Sequence, residues 1–298
     1  MPKADRYREG VPCWVELGAA DLPRARAFYG GLFGWEFVGL PGYTVATLRG
    51  AQVAGLVARP SDGARAWTTY LAVADVGRAA ERVRTAGGRI LREPFEVPEQ
   101  GWAAVAADPG GAVFGLRCGL LWQGAGLVDE PSAFSWSELL SPEPDTARDF
   151  YRRVFGYEYA TGADGGTVFR VGGAVAGGIG RAPTAEAGTA TGTGTDTGTG
   201  TGAIAGTATP AATPAAADAG TDRGAPDRHG RAAAPSAWGV HFGAADTDRA
   251  TERVRELGGV VAAAPAPTPF GRRAVVRDDG GAEFTLIGVP STETPPAA

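Results

Sequence analysis

The chain has 298 residues with 28 Lys+Arg against 33 Asp+Glu, a net charge of −5; that length suggests two domains of ordinary size. A mildly acidic balance lacks the footprint of a phosphate-backbone binder, so no nucleic-acid partner is expected. No apolar run approaches the roughly 20 residues of a membrane span.

The first eight residues carry charges and no apolar stretch, so no secretory leader and no membrane partner are expected. Trp14–Leu17 then reads as a short strand. Asp21 stands where a short carboxylate caps a helix, and Leu22, Ala25, Phe28, Tyr29, Leu32 and Phe33 form one apolar stripe that stops at Gly34. Three strands follow, at about Glu36–Leu40, Tyr43–Arg49 and Gln52–Ala58. The pattern then restarts. A strand from Trp67 leads to Asp75, a helix ending at Gly87-Gly88, and strands at about Arg89–Arg92, Ala103–Ala107 and Ala112–Arg117. Asp108-Pro-Gly-Gly and Asp278-Asp-Gly-Gly are read as hairpin turns.

The remainder repeats this plan. Trp136–Tyr159 matches Trp14–Phe37 without a gap at 10 of 24 positions, at an offset of 122. Trp238–Gly259 matches Trp67–Gly88 at 11 of 22, at an offset of 171. The difference, 171 − 122 = 49, is almost all low-complexity sequence: from Gly188 to Ala217, 26 of 30 residues are Gly, Thr or Ala. Such a tract has little side chain to offset the entropy of ordering it. The expected organisation is therefore a first domain at 5–125, a linker at 126–130, and a second domain at 131–290. A disordered insertion is expected at 182–235 and a disordered tail at 291–298. Each domain holds two βαβββ units.

These units resemble the vicinal oxygen chelate superfamily, which includes glyoxalase I, bleomycin-resistance proteins and extradiol dioxygenases. The residues that carry the likeness are Ala27-Phe28-Tyr29…Leu32-Phe33-Gly34-Trp35 and Asp108-Pro-Gly-Gly-Ala-Val-Phe. Their counterparts are Phe150-Tyr151…Val154-Phe155-Gly156-Tyr157 and Asp278-Asp-Gly-Gly-Ala-Glu-Phe. The resemblance implies an α+β fold of two domains, each a curved eight-stranded cup that holds a ligand or metal. The metal-ligand positions it implies fall at Trp14, Gly55, Thr68 and Gly115, and at Trp136, Gly177, Gly239 and Thr285. None is His, Glu, Asp or Cys, whereas a divalent site needs several such donors. No metal or other cofactor is expected on this ground, with an atypical divalent site left open.

Alternation within strands gives the cup lining. Val15 and Leu17 face the helices, so Trp14 and Glu16 face the cup, as do Trp136 and Glu138. Leu71 and Val73 face the helix, so Tyr70 faces the cup, and His241 is its counterpart. Glu16 and Glu138 are the candidate catalytic bases, because a carboxylate beside tryptophan has a raised pKa. Tyr70 and His241 are candidate ligand contacts; Trp14, Trp67, Trp136 and Trp238 are candidate ligand contacts or plain core, with Trp102 as a lid. His229 falls in the low-complexity tract. Cys13 and Cys118 are too few for a disulfide framework, are read as buried thiols, and fit a reducing cytoplasm. The expected function is binding of a small organic ligand by a monomer or homodimer. The alternatives are a lyase, isomerase or oxygenase, and a scaffold.

Overall fold

A computed structural model describes residues 7–40, 43–59, 65–98, 100–119, 124–182 and 236–290. The expected insertion and tail, with His229, lie outside the described residues apart from Ala182.

The first half contains β1 (Pro12–Ala19), α1 (Leu22–Phe33), β2 (Glu36–Leu40), β3 (Tyr43–Leu48) and β4 (Ala51–Ala58). Its second unit is β5 (Trp67–Ala72), α2 (Val76–Thr85), β6 (Arg89–Val97), β7 (Gly101–Ala107) and β8 (Val113–Gly119). The second half repeats this with β9 (Phe134–Ser141), α3 (Pro144–Phe155), β10 (Glu158–Thr161), β11 (Thr167–Val171) and β12 (Ala174–Arg181). It ends with β13 (Ala237–Ala244), α4 (Thr247–Glu256), β14 (Val260–Thr268), β15 (Gly271–Arg277) and β16 (Glu283–Gly288). The strands form two eight-stranded mixed sheets, ordered β2-β3-β4-β1-β5-β8-β7-β6 and β10-β11-β12-β9-β13-β16-β15-β14. In each, an antiparallel central pair joins the two βαβββ units, and each unit closes through one parallel pair. The expected α+β fold is the observed one.

Among the described residues, three of the four helices start as their sequences require. Asp21, Asp75 and Asp246 accept hydrogen bonds from the backbone N–H three residues on, at 2.9, 2.9 and 3.0 Å. Helix α3 has Glu143 at this position without a side-chain cap, and Pro144 opens the helix instead. Gly34 and Gly156 end α1 and α3 in the left-handed conformation, where a side chain would be strained.

The two sheets turn their helix-bearing faces toward each other. One core joins Val15, Leu17, Phe28 and Tyr29 of the first half to Phe242, Val254, Val276 and Phe284 of the second. A second core joins Leu71, Val83 and Leu116 to Leu139, Phe150 and Tyr151. Between them β5 meets β9 directly, with Thr69 Oγ1 and Ser137 Oγ 3.0 Å apart. Because both helix-bearing faces are consumed in this shared core, the concave faces point away from each other. Each therefore forms a separate cup.

Candidate functional site: two unequal cups

The first cup is full. Trp14, Val45, Tyr70, Ala72 and Ala103 are buried there as a cluster separate from the shared core. The Tyr70 hydroxyl donates to Glu16 Oε1 at 3.0 Å, and Trp14 Nε1–H donates to the Tyr43 hydroxyl at 2.9 Å. Arg117, 4 % exposed, lies 5.2 Å from the Trp14 ring and donates to Gln100 Oε1 at 2.9 Å. Burial raises the Glu16 carboxyl above its ordinary range, opposed first by the Tyr70 hydrogen bond and then by Arg59. Glycines make this filling feasible. A Cβ at Gly55 would lie 1.8 Å from the Tyr43 hydroxyl, and one at Gly115 would lie 2.0 Å from the Tyr70 ring.

The second cup has the same backbone but different occupants. Pairing puts Thr44 opposite Leu56 and Thr167 opposite Ile179, so Gly166 stands where Tyr43 stands in the first. His241 replaces Tyr70, and Thr285 replaces Gly115. The arginine has changed strands. In the first cup Ala103 on β7 pairs with Arg117 on β8; in the second, Arg273 on β15 pairs with Ile287 on β16. Gln100, which precedes the hairpin Gly101 and bonds Arg117, has Phe270 as its counterpart before Gly271. Phe270 is exposed.

These exchanges leave a network unclosed. Glu138 Oε2 lies 3.6 Å from Arg273 Nη2 and 3.9 Å from His241 Nε2, both beyond hydrogen-bond length. His241 is 3 % exposed, and among the described residues its Nδ1 has no hydrogen-bond partner; nor has Nε of Arg273, or Nε of Arg117 in the first cup. Burial pushes the His241 pKa down to about 3, with Arg273 adding to the effect, so the ring is neutral near pH 7. Burial raises the Glu138 pKa, which Arg273 opposes and Asp164 reinforces. Trp136, half-buried, precedes Glu138 by two residues and shares its face of β9.

The other sequence candidates lie elsewhere. Of the four tryptophans read as ligand contact or core, Trp67 and Trp238 lie in the shared core and not in a cup, and their indole N–H groups donate to Tyr29 at 3.0 Å and Tyr151 at 2.9 Å. Trp102 is not a lid: it pairs with Cys118, shares a sheet face with the core residue Ala104, and is 46 % exposed on the side away from the cup. The position read at Gly177 belongs to Gly178, which pairs with Glu138, whereas a Cβ at Gly177 would meet Phe169 in the shared core. The shift by one comes from a longer β10–β11 hairpin: Leu40 pairs with Tyr43, but Thr161 pairs with Thr167. Cys13 is fully buried and Cys118 only partly, and both thiols are free. Arg273, Arg117, Tyr43 and Gln100 were missed. Strand alternation could have found Arg273, since Ala274 and Val276 beside it are core residues.

The donor set does not suit a divalent cation. Among the described residues no three His, Cys, Asp or Glu side chains converge on one point. In the second cup, where Glu138 and His241 approach, the guanidinium of Arg273 already supplies the positive charge. Among the described residues, no helix is long and apolar enough to cross a membrane.

Sequence and fold comparisons agree with this architecture. The model of the Glyoxalase/Bleomycin resistance protein/Dioxygenase superfamily matches residues 13–116 and 134–286. A Mycobacterium tuberculosis protein named "Putative glyoxylase CFP32" is 30% identical over 307 residues, covering 96% of this chain and 98% of its own. The anthracycline biosynthesis protein DnrV of Streptomyces peucetius is 31% identical over 305 residues, covering 95% and 94%. Two solved structures share the fold: the Mn(II)-bound glyoxalase of Novosphingobium aromaticivorans and the 2,3-dioxygenase LapB of Pseudomonas sp. KL28. Their TM-scores are 0.57 and 0.58 at 17% and 13% identity, with 96% and 98% of this chain covered and 86% and 97% of theirs. With two matched segments, four βαβββ units and full-length relatives, the chain belongs to the glyoxalase/bleomycin resistance protein/dioxygenase superfamily.

Proposed function

We propose that the protein binds one small organic molecule, in the second cup, using Trp136, Glu138, His241 and Arg273 rather than a metal ion. One contrast carries this reading. In the first cup Tyr70 bonds Glu16, Trp14 bonds Tyr43 and Arg117 bonds Gln100, whereas in the second Glu138 bonds neither His241 nor Arg273 and, among the described residues, Nδ1 of His241 has no partner. Nε of Arg117 and Nε of Arg273 are unpartnered alike among the described residues, so the contrast lies at the glutamate and the histidine. Leaving a buried polar atom such as His241 Nδ1 unpaired costs about 1–3 kcal/mol, a cost that a ligand group in this cup would offset. A flat aromatic wall with a few converging polar groups is also the usual make-up of a small-molecule site. The relatives' names, a glyoxylase and an anthracycline biosynthesis protein, support a small organic partner.

The test is a screen of small aromatics and carbonyl compounds by thermal shift, with stoichiometry by calorimetry on the full chain. One ligand per chain is expected. Its affinity should survive EDTA and Tyr70→Phe and fall at least about 10-fold in Trp136→Ala, the loss of one stacking wall. Two equal sites per chain, or loss of binding on chelation, would overturn the reading. A second reading is turnover in the same cup, favoured by the raised pKa of Glu138 beside a neutral His241. Glu138→Gln that binds a substrate but no longer converts it would establish that reading.

A further inference from the structure

Granted a ligand in the second cup, the charges there narrow its chemistry. Glu138 and Arg273 are near enough to sense each other's charge, yet at 3.6 Å they spend no hydrogen bond on one another. The carboxylate therefore keeps acceptor capacity and the guanidinium keeps donors. Both side chains are only partly covered, 24 % exposed for Glu138 and 35 % for Arg273, so both can be reached from solvent. The neighbours of Glu138 across the sheet are Gly178 and Gly239, which place no side chain over it. A Cβ at Gly178 would stand 3.3 Å from both Glu138 Cγ and Trp136 Nε1, closer than the packing allows without adjustment.

A ligand carboxylate that accepted from Arg273 would be pressed against Glu138. A ligand ammonium that donated to Glu138 would be pressed against Arg273. Each leaves one like-charge contact in a partly dry site, where screening is weak. A neutral edge that carries a donor beside an acceptor satisfies both groups and adds no charge. The Trp136 ring beside them favours a flat partner.

We infer that the second cup selects neutral, planar molecules with a hydrogen-bond donor and a carbonyl acceptor adjacent on one edge, such as a lactam or a hydroxyl beside a carbonyl. The acceptor takes a hydrogen bond from Arg273, and the donor gives one to Glu138. This rests on the small-molecule reading above, and the experiment separates the two.

Four probes with the same two-ring area are titrated calorimetrically into the full chain: isoquinolinone (a lactam), naphthoate, naphthylmethylammonium and naphthalene. Isoquinolinone is expected to bind one per chain, roughly 10-fold or more tighter than each of the others, the scale of a matched hydrogen-bond pair. Glu138→Gln should move the preference toward naphthoate, and Arg273→Gln toward naphthylmethylammonium. Thermal midpoints of both variants show that they are folded. Tyr70→Phe, in the filled cup, should leave isoquinolinone binding unchanged. If naphthoate or naphthylmethylammonium binds tightest to the unmodified protein, or naphthalene binds as well as isoquinolinone, the edge selectivity is wrong while the ligand site stands. Isoquinolinone preference that survives both Gln substitutions also overturns it. If none of the four binds, the small-molecule reading of this cup falls.

Discussion

Single side chains decide which cup is open. In the first, Tyr70 lies over a backbone position that only glycine can occupy, because a Cβ at Gly115 would fall within 2.0–2.4 Å of three ring atoms. In the second, the smaller His241 permits Thr285 at the same place. Gly115→Ala should therefore force Tyr70 off its rotamer and break its bond to Glu16. The expected loss is about 1–3 kcal/mol, the range for overpacking a filled site. Urea denaturation would show it as a lower midpoint at unchanged slope. An unchanged midpoint would mean that the Tyr70 ring is free to move and that the first cup is not rigidly filled. The arginine exchange obeys the same logic. Arg117 is enclosed by Trp14 and Gln100, whereas Arg273 stands one strand over and is partly exposed.

Helices and turns hold the two halves together through reciprocal contacts. Tyr29 on α1 donates to Asp278 Oδ2 at 2.9 Å, across to the β15–β16 turn, and receives the Trp67 indole N–H. Tyr151 on α3 faces Asp108 of the β7–β8 turn in the same way, at a longer 3.4 Å, and receives Trp238. Each aspartate also accepts from its own turn, Asp278 from Ala282 N–H and Asp108 from Ala112 N–H, both at 2.8 Å. Tyr29→Phe would remove the partner of the Trp67 indole N–H and of Asp278 Oδ2, while Asp278 Oδ1 keeps Ala282 N–H, and should cost about 1–3 kcal/mol. Tyr151→Phe should cost less, because its contact to Asp108 is weaker. Equal or reversed losses in chemical denaturation would count against the clasp. The units themselves were legible in sequence, since helix caps, apolar stripes and Gly-rich turns are local signals. Strand β6 was read as about Arg89–Arg92 but runs to Val97, because two register shifts hide its alternation. Trp67 was legible in principle: it lies four residues before Leu71, so the alternation that puts Tyr70 in the cup puts Trp67 outside it. The clasp was not legible, because Tyr29 and Asp278 are 249 residues apart and meet only once the sheets pack helix face to helix face.

Across the molecule, the clasp and the open cup pull stability in opposite directions as pH changes. Burial raises the Asp108 pKa to about 6 from an ordinary 3.8, opposed by hydrogen bonds from its turn and from Tyr151. Between those values the folded chain keeps a proton that the unfolded chain has lost, so this group makes stability fall as pH rises from about 4 to 6. His241 does the reverse. Its native pKa is about 3 against 6.5 ordinarily, so below pH 6.5 the unfolded chain gains a proton that the folded chain refuses. That group makes stability fall as pH drops toward 3. The charged neighbours of His241 are Glu138 and Arg273, and Asp108 meets Tyr151 across the interface. The two slopes therefore oppose one another between about pH 4 and 6. Asp108→Asn should expose the histidine's contribution and make acid destabilisation steeper in that window. His241→Phe should expose the aspartate's contribution and make the same acidification less costly than in the unmodified protein. Urea midpoints taken at half-unit steps from about pH 4 to 7 measure both. Because Glu16, Glu138 and Asp278 titrate in every version, the quantity to compare is each variant's departure from the unmodified curve. Departures of the same sign would mean that one of these two buried groups carries its ordinary protonation into the folded state.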